Sequence, residues 1–211
     1  MLKLKNRVLA EREILAVLAD LNQRAKRSTE SRQTLVIFRL ACCCGLSSGE
    51  IAALQIRDLN IDGGPPKIEV WKQRLRNGKV ARKSRAVPLS IDEATCADIT
   101  AWRKFRLNQS GGDLYAPLVC GLRKVNHGKP LGPKTLAKRW KTAVRCLGPE
   151  RVRQLSISAG RHSGILQLLR RGASLPAVQK FAGHASTKQT ASYLELLPGL
   201  HSAPDRNVFA L

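Results

Sequence analysis

Between positions 67 and 89 the hydrophobic period of the chain changes. On either side apolar residues recur at helical spacing, whereas inside the interval K-I-E-V-W-K and R-A-V-P-L flank R-N-G-K. Asn77-Gly78 supplies two residues that tolerate positive φ, which a two-residue turn needs if its twist is to match the strands it joins. A basic β-hairpin with Lys79 at its tip is therefore expected inside an otherwise helical chain. Helical periodicity predicts elements over 11–25, 31–45, 49–56, 90–107, 133–147, 160–171, 174–182 and 187–196. Gly45 is the expected C-cap of the second, and S-I-D-E from Ser90 is the expected cap of the fourth. Residues 128–133 read as a loop. The fold class is mainly α with a small antiparallel β-sheet (α+β).

Charge then restricts the partner. The chain carries 37 Lys and Arg against 15 Asp and Glu, a formal net charge of +22. So large an imbalance repels itself, and a polyanion relieves it; nucleic acid is the first candidate and an anionic membrane surface the second. Hydrophobic residues make up 43% of the chain, enough for a folded core. No apolar run reaches the roughly 18 residues of a spanning helix, so no membrane partner is expected and the location expected is cytoplasmic, with the nucleoid. From Trp71 to Pro88 there are seven basic residues and no acid, and from Leu114 to Leu194 fifteen basic residues and only Glu150. Runs this one-sided, interleaved with core hydrophobes, read as walls of a phosphate-binding groove. The six cysteines contain no C-x-x-C pair, and Cys42, Cys43 and Cys44 point in different directions on a helix, so buried thiols are expected rather than a metal site.

The chemistry gathers near the end of the chain. In S-I-S-A-G-R-H-S-G-I-L-Q-L-L-R-R-G-A-S-L-P-A-V-Q-K-F-A-G-H-A-S-T-K-Q-T-A-S-Y, Arg161 is followed after 23 positions by His184 and after nine more by Tyr193, one of only two tyrosines. This segment resembles the catalytic domain of the tyrosine recombinases, the phage-integrase family, whose pattern runs H-x-L-R-H, then G-H, then a tyrosine nine residues on. The stretch G-L-S-S-G-E-I-A-A-L-Q-I-R-D-L is similar to the family's G-L-R-x-x-E-x-x-x-L-x-x-x-D, with Gly45, Leu46, Glu50, Leu54 and Asp58 in register. Between the two, N-G-K-V-A-R-K-S-R-A-V-P-L resembles the family's lysine-bearing hairpin. The likeness extends from about position 10 to 196, in order.

The resemblance implies a site-specific recombinase or integrase that cuts and rejoins double-stranded DNA through a 3′-phosphotyrosyl intermediate. Holding the phosphodiester energy in a covalent bond removes the need for any energy cofactor, and no metal or other cofactor is expected. Tyr193 would be the nucleophile. Arg161 would hold the non-bridging oxygens with its paired donors, and His184 would donate to the same phosphate. Lys79 would protonate the leaving 5′-oxygen, with Lys72 as the competing candidate. Arg82, Lys83 and Arg85 on the hairpin, and Lys134 and Lys138 on a helix, are the candidate DNA contacts. Each residue also has a plainer reading: Tyr193 as an amphipathic helix residue, His184 as a helix-end hydrogen-bonder, Arg161 as a simple phosphate contact. Tyr115 reads as a partly buried residue at a strand edge.

Two positions depart from the pattern. Ser47 stands where the first motif has arginine, and Ser158 where the second begins with His or Lys. Losing one oxyanion donor costs on the order of 3 kcal/mol, or about 10² to 10³ in rate. Arg57 and Arg74 are candidates to replace the missing charge. The alternative is a catalytically impaired DNA-binding relative that occupies sites or accompanies an active recombinase; a type IB topoisomerase shares the chemistry but fits the motif spacing less well. Residues 1–197 are expected to form the catalytic domain and 198–211 a tail exchanged between protomers, in a dimer to tetramer assembled on DNA. No separate N-terminal core-binding domain is expected in this chain, which is either a minimal recombinase or a fragment.

Overall fold

The computed structural model describes residues 8–76, 79–89 and 92–197, and of residues 72–83 it describes the backbone alone. The N-terminal half begins with α1 (Glu11–Ala25), α2 (Thr29–Cys42) and the short α3 (Ser48–Ala53). The strands β1 (Leu59–Asn60), β2 (Lys67–Arg76) and β3 (Lys79–Pro88) follow, and α4 (Glu93–Gln109) closes this half. The C-terminal half is α5 (Pro133–Ala143), α6 (Pro149–Gln154), α7 (Ile157–Arg170), α8 (Leu175–Ala182) and α9 (Thr187–Ala191), with short 3-10 turns over Lys124–Asn126, Arg145–Leu147 and Leu194–Leu196.

The helix α2 is the axis of the molecule, with every residue from Gln33 to Cys42 buried. A helix enclosed on all sides must satisfy its polar groups internally. Gln33 does so by exchanging hydrogen bonds with the backbone of Cys120, at 3.0 and 2.8 Å. Arg39 reaches Asp98 at 2.5 Å, Thr95 at 2.8 Å and Asp92 at 3.3 Å, which fixes α4 against α2. Phe38 stacks on Trp140 of α5 at a centroid distance of 5.5 Å.

Against the other side of α2 lies α7, at very short range. A Cβ on Gly160 would stand 2.9 Å from that of Ala41, and one on Gly164 only 2.3 Å from the carbonyl oxygen of Cys42. Two glycines one turn apart thus let the backbones touch. That contact places the N-terminal half of α7, which carries Arg161, beside the loop that leaves α2. Gly45 turns this loop with φ +63°, in the left-handed region, where a side chain would also strike the ring of Phe181.

The sheet is antiparallel in the order β1-β2-β3. β2 and β3 pair from Lys67 opposite Pro88 to Arg76 opposite Lys79, the register expected of the hairpin. The Asn77-Gly78 turn itself lies outside the described residues. So do Ser90 and the start of its expected cap. The helix begins later than that pattern implied, with Asp92 as its N-cap, accepting from the backbone of Ala94 at 3.2 Å.

Three other expectations are corrected. The helix expected over 187–196 stops at Ala191, and Tyr193 sits in the turn between α9 and the 3-10 segment. The six-residue helix α6, which no periodicity announced, fills the approach to α7. Tyr115, expected to be partly buried at a strand edge, is 63% exposed, with the guanidinium of Arg57 4.2 Å from its ring centre. The cysteines are free thiols; Cys42, Cys44 and Cys120 are buried, but Cys146 is exposed.

Candidate active site

Three segments converge where the first motif, α7 and the end of the chain's described part meet. The first starts at Ser47, the N-cap of α3. Its hydroxyl accepts from the backbone of Glu50 at 3.3 Å, while its own backbone N–H and hydroxyl donate to the Glu50 carboxylate at 2.8 and 2.9 Å. This reciprocal cap holds a carboxylate in a place where its side chain is 4% exposed. A buried carboxylate requires cations, and two arrive from elsewhere. Arg85 Nη1 donates to Oε1 at 2.8 Å, and Arg161 Nη1 to Oε2 at 3.2 Å.

Arg161 is the hub. Besides Glu50, its Nη1 donates to the Gly45 carbonyl at 2.6 Å and its Nη2 to the carbonyl of Ala182. One guanidinium therefore ties the first-motif loop, α3 and the end of α8 to α7. Arg85 reinforces the same junction, donating from Nε to the Phe181 carbonyl at 2.8 Å. Burial pulls the Arg85 pKa below the usual guanidinium range, Glu50 pulls it back up, and Arg161 pushes it down again.

The third segment delivers two rings. α8 opens with Ser174 as N-cap and Pro176 in its first turn, and closes at Gly183, whose φ of +63° is left-handed. Gly183 is needed for space as well, since a Cβ there would stand 2.7 Å from Cδ of Arg85. His184 follows at once, 9% exposed, with Nδ1 2.9 Å from the hydroxyl of Thr190. The ring of Tyr193 stacks on His184 at 5.9 Å and 18°. His162 also meets it, with ring centres 5.7 Å apart and Nδ1 only 2.5 Å from the Tyr193 hydroxyl.

Tyr193 is 5% exposed. Burial raises its phenol pKa, and the Arg161 cation offsets part of that rise. Burial lowers the pKa of His162, and Arg161 lowers it further. The pair at neutral pH is therefore a protonated phenol against an uncharged imidazole.

Arg161, His184 and Tyr193 are thus brought together as their spacing suggested, and Glu50 and His162 join them. No role was assigned to either of these from the sequence. Glu50 stood in register in the first motif, and His162 is the final histidine of H-x-L-R-H, so the signal for each lay inside the motifs. Ser47 is a helix cap. Ser158 is exposed in the first turn of α7. Arg85, expected among the DNA contacts, points inward instead, with a side chain 9% exposed and both of its partners internal. Lys134 and Lys138 are exposed on α5. The side chains of Lys72, Arg74, Lys79, Arg82 and Lys83 lie outside the described residues. Arg57 is exposed and bonded to Gln55 at 2.8 Å. Among the described residues no group of three or more His, Cys, Asp or Glu stands close enough to hold a metal ion, and no helix is long and apolar enough to cross a membrane.

Relatives share this arrangement at the level of the fold. The XerA recombinase superposes with a TM-score of 0.70 at 20% identity, over 92% of this chain and 61% of that one. The XerH site-specific recombinase, in a post-cleavage complex with a palindromic difH substrate, gives 0.67 at 17% identity, over 90% of this chain and 50% of that one. In sequence, the tyrosine recombinase XerC of Pelobacter propionicus is 28% identical over 149 residues, which is 71% of this chain but 43% of that protein. The chain therefore spans less than two thirds of the length of these relatives. The phage integrase family model matches residues 7–198. With the motif residues folded into one site and nearly the whole chain matched, the chain belongs to the phage integrase family.

Proposed function

We propose that this chain is the DNA-cleaving domain of a site-specific recombinase, acting through a phosphotyrosyl intermediate on Tyr193. The observation that carries this reading is the placing of the Tyr193 hydroxyl 2.5 Å from Nδ1 of His162, beside the Arg161 hub. A phenol is a poor nucleophile until it loses its proton, so a nearby acceptor and a nearby cation are what cleavage requires. In this reading Tyr193 attacks the scissile phosphorus, and the bond to the 5′-oxygen breaks. Arg161 and His184 donate to the phosphate in the same reading. Lys79 or Lys72 of the hairpin supplies the proton to the departing oxygen. The XerH relative bound to its difH substrate supports double-stranded DNA as the partner. Recombination joins two duplexes, so the working unit is a dimer to tetramer on DNA.

A second reading rests on a specific observation. Where the family pattern has arginine, Ser47 offers a hydroxyl that is already spent on capping α3. Arg161 meanwhile directs its donors at Glu50 and two carbonyls. A chain in this state would bind DNA without cutting it. Suicide duplexes nicked beside candidate sites, which release the 5′-hydroxyl fragment after cleavage, separate the two. The unmodified chain is expected to leave a covalent adduct on a denaturing gel, and Tyr193→Phe to bind the same duplex and leave none. DNA binding with no adduct from the unmodified chain would establish the second reading.

A further inference from the structure

We propose that His162 is the proton acceptor for Tyr193, a catalytic residue in direct contact with the reacting oxygen. This rests on the recombinase reading above. The family pattern puts its proton-transferring residue at the head of the second motif, and here that position is Ser158, exposed in the first turn of α7. One helical turn on, four residues later, His162 presents Nδ1 at 2.5 Å from the Tyr193 hydroxyl. Positions four apart on a helix share a face, so the acceptor has moved along α7 without leaving the site.

The other groups nearby are placed for different work. His184 meets Tyr193 ring against ring, 18° from parallel, and its Nδ1 lies 2.9 Å from the Thr190 hydroxyl. Glu50 is held by Arg85 and Arg161. Burial lowers the pKa of His162, and a proton gained there would sit beside Arg161. That repulsion favours returning the proton when the intermediate resolves.

The step balances. The phenol proton passes to Nδ1 as Oη bonds to phosphorus; the bond to the 5′-oxygen breaks, and that oxygen takes a proton from the hairpin lysine. In rejoining, a 5′-hydroxyl gives its proton to the now neutral hairpin lysine and attacks phosphorus, the bond from phosphorus to Oη breaks, and His162 returns its proton to Oη. For Nδ1 to accept, the neutral ring must carry its hydrogen on Nε2.

Two measurements test this. In the first, His162→Asn keeps a polar atom near the Nδ1 position but cannot take up a proton. Its rate of adduct formation on a suicide duplex should fall roughly a hundredfold, the lower range for a lost general base, with duplex binding unchanged. Replacing the 5′-bridging oxygen by sulfur, which leaves without protonation, should not repair the defect. Repair by sulfur would move His162 to the leaving-group side, and a rate unchanged or raised by His162→Asn would make the contact a mere clasp; either result overturns the proposal. No adduct from the unmodified chain would sink the recombinase reading and this step with it, whereas equal adducts from both chains sink this step alone. In the second, nitrogen NMR of the unmodified chain with labelled histidine should show an unprotonated Nδ1 on His162. A hydrogen on Nδ1 at neutral pH overturns the proposal whatever the variant does.

Discussion

Glu50 decides how the site's cations are held. Its carboxylate stands between Arg85 and Arg161, whose side chains are only 9% and 13% exposed. Two guanidiniums this close repel, and the acid between them turns repulsion into a clamp. Glu50→Gln keeps the shape but removes the charge, leaving both arginines buried without a counter-ion; a loss of about 3 kcal/mol is expected. Urea denaturation followed by circular dichroism measures it, and a change below about 0.5 kcal/mol, the scale of an ordinary surface substitution, would mean that water or backbone carbonyls already neutralise the pair. At this scale the sequence was partly readable. Tyr193, Arg161 and His184 were legible because their spacing is fixed by the helices between them. Arg85 and Ser47 were not. A basic residue in an acid-free run gives no sign that an acid more than thirty positions earlier faces it. The hydroxyl at position 47 reads as a lost arginine until its bonds to Glu50 are seen.

At the scale of elements, α1 was legible from end to end, since its apolar stripe and polar face are set by local sequence alone. α6 was not, because six residues make too few turns for any period to register, and the two-residue β1 is shorter still. The end of α9 was hidden for another reason. Apolar residues continue past Ala191 at helical spacing, yet the buried ring of Tyr193 packs against two imidazoles, and the chain turns where it meets them. Tertiary packing overrode the local period there. The close crossing of α2 and α7 was equally silent, although its cause is two glycines. Gly164→Ala would drive a methyl to 2.3 Å from the Cys42 carbonyl oxygen. Overpacking of this kind costs about 1–3 kcal/mol, which offsets or exceeds the roughly 1 kcal/mol that alanine adds to helix propensity. A net loss of up to about 2 kcal/mol is expected. Gly49→Ala is the control, for nothing stands within 4 Å of a Cβ there, and the same propensity term should make that variant more stable by up to about 1 kcal/mol. Equal effects from the two substitutions would mean that α2 and α7 separate readily.

Across the whole molecule, charge is arranged differently in space than along the chain. The net charge of +22 stands, but the basic runs are not purely basic surfaces. Arg123 and Arg139 meet Glu30, Arg151 meets Glu13, and Arg85 and Arg161 meet Glu50. Acids from the first fifty residues thus reach into the basic runs and remove some of their cations from any DNA surface. What remains outward includes Lys134 and Lys138, exposed in the first two turns of α5. A lysine that touches a phosphate releases a condensed counterion, so its loss should lower the slope of log affinity against log salt by about 0.9. Lys134→Ala and Lys138→Ala are each expected to do this, weakening all duplexes alike and leaving the melting temperature in place. Arg85→Ala should behave in the opposite way. Its guanidinium belongs to Glu50 and the Phe181 carbonyl, so its loss should lower the melting temperature and leave the salt slope unchanged. Anisotropy titrations on one duplex at several salt concentrations, with a melting curve for each variant, decide the matter. A smaller slope from Arg85→Ala at unchanged stability would show that this arginine leaves its carboxylate when a phosphate arrives.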